Sequence, residues 1–180
     1  AGRIVTFLII GGGLVVIQLT LQRFVILSES GYFLRMEERR FRRTLSRMKN
    51  HVIICGFGRV GKEIAEQLRR KDVPILVIEL DPLIKSKAEA SGLNVLEADA
   101  TLDQTLLMAG INQCRSLVVT LPSDAANLYV VLSAKGMNKD CRLIARSASE
   151  EASKKLKLAG ASVVVSPYIA AAKSMAKASI

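Results

Sequence analysis

HVIICGFGRVGKEIAEQL, residues 51–68, decides the fold. His51–Cys55 is a short apolar run rich in β-branched residues, the composition of a strand covered on both faces. Glycines follow in the pattern Gly56-Phe57-Gly58-Arg59-Val60-Gly61, and behind them Ile64, Ala65 and Leu68 recur at helical spacing. A G-x-G-x-x-G run alone is a weak signal, but between a strand and a helix it has a mechanism. Gly56 permits the tight turn, Gly58 lets a pyrophosphate approach the backbone, and Gly61 lets the helix pack closely on the strand. The helix N-terminus then directs free N–H groups and the positive end of its dipole at the phosphates.

The next strand, PILVIE, ends in Glu79, about 20 residues beyond the glycines. An acid there accepts hydrogen bonds from ribose hydroxyls and repels a 2′-phosphate, which favours NAD(H) over NADP(H). Asp81 either shares the ribose or caps the helix that opens at Pro82. Asp99-Ala100-Thr101 follows the third strand, where it either borders the adenine or caps the helix from Leu102. Arg59 lies inside the glycine loop and meets a phosphate or only solvent. Arg146, at the end of RLIAR, meets a phosphate, a partner subunit or a surface acid. Ser123 and Asp124 are placed to cap the fourth helix. The candidate binding set is therefore Gly56, Phe57, Gly58, Arg59, Val60, Gly61, Glu79, Asp81, Asp99, Ala100 and Thr101. ADP and ATP satisfy the same loop as NAD(H). Carboxylate oxygens of Glu79, Asp81 and Asp99 suit Ca²⁺ as a lesser alternative.

Outward from this core, strand-like runs alternate with helical stretches six times. The strands are HVIIC, PILVIE, NVLEA, SLVVT, RLIAR and SVVVS. The helices are RVGKEIAEQLRRK, Pro82–Ser91, a short one near Leu102–Ala109, Asp124–Met137, Glu150–Ala159 and one from Pro167. Gly92, Gly110, Gly136 and Gly160 stand where helices are expected to close. Helical connections of this length imply right-handed crossovers and a parallel sheet. The expected fold is a Rossmann-like, doubly wound α/β sheet of order 3-2-1-4-5-6. Half of the 180 residues are hydrophobic and only 4% aromatic, which suits a Val, Ile, Leu and Ala core. The three cysteines, Cys55, Cys114 and Cys141, show no C-x-x-C spacing, and His51 is the single histidine. Neither a zinc site nor a disulfide framework is expected; buried thiols in a reducing cytosol are.

The front of the chain is of another kind. Ile4–Leu27 is apolar apart from Arg23, Gln18, Gln22 and a few small polar residues, long enough to cross a bilayer as a helix. Gly11, Gly12 and Gly13 permit bending within it. Arg35, Arg39, Arg40, Arg42, Arg43, Arg47 and Lys49 follow, so the C-terminal side is cytoplasmic by the positive-inside tendency. Residues 1–50 hold 9 Lys/Arg against 3 Asp/Glu, which is most of the net charge of +10. Few aromatics interleave with that basic run, and a nucleic-acid partner is not expected. The expected organisation is a transmembrane helix over residues 1–28, a basic linker over 29–50 and the nucleotide-binding domain over 51–180.

HVIICGFGRVGKEIAEQL, ILVIELDP, EADATLDQTLLMAGI, LVVTLPSDAANLYVVLSAK, RLIARS and KLKLAGASVVVSP together resemble the regulator-of-potassium-conductance family, also called the RCK/KTN or TrkA-N type, in the family's order. The family often carries Gly-Asp-Ala-Thr where this chain has Ala98-Asp99-Ala100-Thr101. Its calcium-gated members carry acids after the fourth strand, where this chain has Leu121-Pro122-Ser123 before Asp124. The first residues resemble the end of a potassium-channel pore domain, with Ile4–Leu27 as the pore-lining helix. The resemblance implies a fragment of a longer subunit at the cell membrane, with residues 29–180 cytoplasmic. It implies identical subunits as partners, as a dimer of RCK domains within a tetrameric or octameric ring, together with a potassium pore and membrane lipid. The implied function is ligand-sensing control of potassium flux by NAD(H) or another adenine nucleotide, without catalysis. One alternative is a membrane-anchored NAD-dependent oxidoreductase. Against it, no His, Tyr-Lys pair or reactive Cys is placed to move a proton beside a nicotinamide. A divalent-cation-gated channel regulator is the other.

Overall fold

The computed structural model describes Gln18 and residues 48–179. The chain divides into two units, Ala1–Thr44 and Leu45–Ile180. The expected membrane helix and nearly all of the basic linker lie outside the described residues. Among the described residues, no helix is long and apolar enough to cross a membrane.

The second unit is a six-stranded parallel sheet wrapped by helices. In chain order it runs β1 Val52–Cys55, α1 Arg59–Arg69, β2 Ile75–Glu79, α2 Pro82–Ala90, β3 Asn94–Glu97 and α3 Asp103–Met108. It continues through β4 Ser116–Val119, α4 Asp124–Met137, β5 Arg142–Arg146, α5 Glu150–Leu158, β6 Val163–Val165 and α6 Pro167–Ala178. The sheet order is β3-β2-β1-β4-β5-β6, with every neighbouring pair parallel. Both the order and the alternation agree with the sequence reading, and element ends fall within two residues of it.

The central strands show why the chain folds this way. Ile53 and Ile54 are consecutive and both fully buried, as are Leu76 and Val77. Adjacent residues of a strand point to opposite faces, so both faces of the sheet are covered. One face carries Val52, Ile54, Ile75, Val77, Val95 and Val118, sealed by Ala65 and Ala88 from α1 and α2 with Ile64, Leu68 and Ile84 packed beside them. The alternate set includes Ile53, Leu76, Leu117 and Leu143, all fully buried, as are Val130, Val131 and Ala134 of α4. Full burial of a Val, Leu or Ile side chain stabilises by roughly 1.5–3 kcal/mol, and the centre of the sheet is made almost entirely of these three.

The helix over Asp124–Met137 ends where the sequence placed it, but not on the expected glycine. Gly92, Gly110 and Gly160 take positive φ after α2, α3 and α5, but Gly136 lies inside α4, which runs on to Met137. Asn138 ends that helix instead. Its Oδ1 accepts from the amides of Asp140 and Cys141, both at 3.1 Å, and its Nδ2 donates to the Ile111 carbonyl at 2.9 Å. A side chain able to redirect the chain and tie it to the α3–β4 loop outweighs the glycine two residues earlier.

Candidate functional site

β1 and β4 are neighbours whose following helices leave toward opposite faces, so a crevice opens beyond their carboxyl ends, where doubly wound sheets place ligands. The glycine loop forms its floor. Gly56 has φ +89°, a conformation that side-chain-bearing residues rarely adopt, and its N–H donates to the Ile78 carbonyl at 2.9 Å. Gly61 sits in the first turn of α1, where a Cβ would stand 2.1 Å from the Gly56 carbonyl oxygen. The helix therefore rests against the loop at a distance only glycine allows. At Gly58, the N-cap of α1, a Cβ would meet nothing within 4 Å. No side chain caps this helix, and its first internal bond at this end is from Lys62 N to Gly58 O, 2.9 Å. Among the described residues the amides of Arg59, Val60 and Gly61 make no hydrogen bond, which leaves them free for anion recognition at a helix N-terminus.

Thr120 locks the loop from β4. Its hydroxyl lies 3.1 Å from the Cys55 carbonyl and 3.0 Å from that of Gly56, and its amide donates to Cys55 O at 2.9 Å. Asn127, fully buried on α4, braces the neighbouring β4–α4 turn. It accepts from Leu121 N at 2.9 Å and donates to the carbonyls of Leu121 at 3.1 Å and Arg146 at 3.0 Å. Neither residue belonged to the expected site. Asn127 had a sequence signal: with Val130, Val131 and Ala134 it occupies the buried stripe of α4, and a polar residue in such a stripe must be satisfied by hydrogen bonds.

The acid at the end of β2 points into the glycine loop. Glu79 Oε2 accepts from Phe57 N at 2.7 Å, while Oε1 accepts from Leu80 N at 2.9 Å and Asp81 N at 3.0 Å. A carboxylate has about four acceptor positions, so Oε2 retains one toward the crevice. The next acid along the sheet edge, Glu97, is the register partner of Glu79 and is neutralised by Lys85 at 3.1 Å. That hydrogen bond, with Glu89 adding a second carboxylate, holds the Lys85 ammonium above its usual range. Glu79 thus remains the carboxylate turned to the loop.

The other expected residues take separate places along the same edge. Asp81 is the N-cap of α2, its Oδ1 accepting from Leu83 N at 2.8 Å with Pro82 in the first turn. Asp99 Oδ1 accepts from the amide of Thr101 at 2.8 Å and its hydroxyl at 2.7 Å, forming a turn ahead of α3. Neither Asp99 nor Thr101 caps that helix, whose N-cap is Leu102. Ala100 is buried beneath the turn. Among the described residues, no group of three or more His, Cys, Asp or Glu side chains is arranged to hold a metal ion. Ser123 caps α4, and Asp124 accepts from Ala148 N at 2.9 Å.

The two arginines left open by the sequence meet at one residue. Arg59 donates to the Tyr168 hydroxyl at 3.2 Å, and the Arg146 guanidinium stands 5.8 Å from the centroid of the same ring. Arg146 also donates to the Leu121 carbonyl at 3.2 Å. Tyr168, on α6, thereby gathers two cations beside the glycine loop. Cys55, at the end of β1, is fully buried, and burial pushes its thiol pKa up, so it supplies no thiolate here.

The TrkA-N domain family matches residues 52–167. The chain is 32% identical, over 98% of its length, to the probable potassium channel protein 2 of Methanocaldococcus jannaschii, of which it covers 52%. It spans about half the length of the curated relatives it matches. Among solved structures, the TrkA-N domain of the Escherichia coli inner membrane protein YbaL superposes with a TM-score of 0.69 at 26% identity, over 73% of this chain and 97% of that one. GsuK bound to ADP superposes with a TM-score of 0.57 at 32% identity, over 71% of this chain and 34% of that one.

Proposed function

The chain belongs to the TrkA-N domain family, and from that premise we propose that residues 51–180 are the ligand-sensing domain of a potassium-channel subunit. The domain binds an adenine nucleotide, NAD(H) foremost, and its occupancy regulates potassium flux without turnover. The observation that carries this reading is the pairing of a glycine loop open at Gly58 with the Glu79 carboxylate hydrogen-bonded to Phe57 N at 2.7 Å. Phosphates sit over Gly56–Gly61 at the start of α1, the ribose hydroxyls reach the spare position on Glu79 Oε2, and Asp99–Thr101 borders the adenine. Arg59 supplies positive charge to the phosphates. The ADP-bound relative and the channel relative both support the reading. Residues 1–28 are the pore-lining helix and 29–50 the linker, with identical subunits forming a cytosolic ring at the membrane.

The test is titration calorimetry of the detergent-solubilised chain with NAD⁺, NADH, ADP and ATP, each with and without Ca²⁺. Saturable binding of at least one nucleotide, lost in Gly58→Val, is expected. Absence of binding by all four overturns the reading. Steady change of nicotinamide absorbance with candidate substrates overturns its non-catalytic part in favour of the oxidoreductase alternative.

A further inference from the structure

The opposite edge of the sheet holds a pair of thiols that nucleotide binding does not use. Cys114 lies in the α3–β4 loop, just before β4, and Cys141 just before β5. Their Sγ atoms are 3.3 Å apart, and both are free. Cys114 is half-buried and Cys141 is buried, so an oxidant in solution meets Cys114 first. The sequence, in which they stand 27 positions apart with no paired motif, gives no sign of this proximity. β4 and β5 are neighbours, and their register aligns Ser116 with Arg142, which brings the residues just ahead of both strands together.

The loop bearing Cys114 also holds the segment by which the chain comes into the domain. Asn50 N donates to the Gln113 carbonyl at 2.9 Å, and Arg115 N donates to the His51 carbonyl at 2.7 Å. The residues on either side of Cys114 thus clasp Asn50 and His51. His51 is fully buried beneath the same loop region, its Nε2 2.9 Å from the Ala109 carbonyl.

We propose that Cys114 and Cys141 form a reversible dithiol–disulfide couple, a modification site that sets how firmly the α3–β4 loop clasps the incoming segment at Asn50–His51. The oxidant is a low-molecular-weight disulfide. Cys141 starts as the thiolate, the form that the hydrogen bond from Cys114 and the nearby Lys135 ammonium favour; it takes the Cys114 proton, and the Cys114 thiolate so formed attacks the disulfide. A Cys114–small-thiol mixed disulfide forms, the small disulfide's S–S bond breaks, and the departing thiolate takes the proton from Cys141. The Cys141 thiolate then attacks Cys114 Sγ and expels the second small thiolate, which solvent protonates. One small disulfide is reduced to two thiols as the protein dithiol is oxidised. Once Cys114 carries the small thiol its hydrogen bond to Cys141 is gone, and the nearby Lys135 ammonium favours the Cys141 thiolate that this resolving step needs. Cytosolic disulfides, where they occur, are usually transient and redox-sensing.

The test incubates the whole chain, in detergent, with excess glutathione disulfide, then alkylates free thiols and digests without reductant. The expected result is a linked peptide pair containing Cys114 and Cys141, lost on adding dithiothreitol. Closing this loop is expected to raise Tm by roughly 10 °C and to slow amide exchange at Asn50 and Arg115. In Cys141→Ser the reaction is expected to stop at a glutathione adduct on Cys114. Wild-type protein that stays reduced, or that halts at the Cys114 adduct, overturns the couple. A crosslink that leaves exchange at Asn50 and Arg115 unchanged overturns its link to the incoming segment. None of these readouts involves nucleotide.

Discussion

The glycines of the loop have separable jobs, and substituting them one at a time tests the site directly. In Gly61→Ala the new Cβ meets the Gly56 carbonyl oxygen at 2.1 Å and Thr120 Oγ1 at 3.0 Å. Relief requires α1 to lift by roughly 1 Å or the loop to move, and overpacking of this kind costs about 1–3 kcal/mol, occasionally more. The obstacle is backbone, held by Gly56 N to Ile78 O at 2.9 Å and by the Thr120 hydroxyl, so the upper end, about 3 kcal/mol, applies. With a urea m-value of about 1.5 kcal/mol/M, the unfolding midpoint falls by about 2 M. Gly58→Val is the contrast. Nothing lies within 4 Å of its Cβ and its φ is −69°, so the structural cost is only the weaker N-cap, about 1 kcal/mol, while the added atoms occupy the place proposed for the pyrophosphate. Urea unfolding followed by circular dichroism, with nucleotide calorimetry on the same preparations, reads both quantities. Gly61→Ala with an unchanged midpoint would refute the close packing of α1 on the loop. Folded Gly58→Val that binds nucleotide as well as wild type would put the phosphates elsewhere.

Glu79→Gln removes the charge that accepts the ribose hydroxyls and turns an NH₂ or a single oxygen toward three backbone donors. NAD⁺ affinity should fall by roughly 10- to 100-fold, given hydrogen bonds to charged groups of about 1.5–3 kcal/mol, and preference over NADP⁺ should narrow; equal calorimetric affinities would remove Glu79 from the site. Asn127→Ala orphans the Leu121 N–H and the Arg146 carbonyl, costing about 3 kcal/mol and roughly 10 °C in Tm; a thermal midpoint within error of wild type would contradict the bracing role. None of α6 is buried and Met175 is 71% exposed, so the chain should self-associate at least to a dimer, and sedimentation showing monomer alone at high micromolar concentration would count against it. A long Gly/Ser insertion between Met48 and His51 should abolish the channel's response to cytoplasmic nucleotide in the complete subunit while leaving its affinity intact, because a ligand shifts a pore only through a mechanical connection that distinguishes its states. An undiminished current response would refute that route.

Strand after strand, the sheet order and the placement of the glycine loop were legible in the sequence alone. The reason is local: β-branched runs, helical spacing and positive-φ glycines report on short segments of chain, and right-handed parallel crossovers leave few ways to join them. Glu79 was legible for the same reason, as the last residue of a strand at a fixed distance from the loop. The tertiary structure decided what depended on distant neighbours. It brought Thr120 against Gly56, Asn127 beneath Leu121 and Arg146, and Tyr168 between Arg59 and Arg146, pairings up to 109 residues apart. It gave Asp81 to its helix cap, and it ended α4 at Asn138 and not at Gly136. It also set Cys114 beside Cys141, because the register of β4 on β5 fixes which residues ahead of those strands meet, and no periodicity within either segment encodes that register.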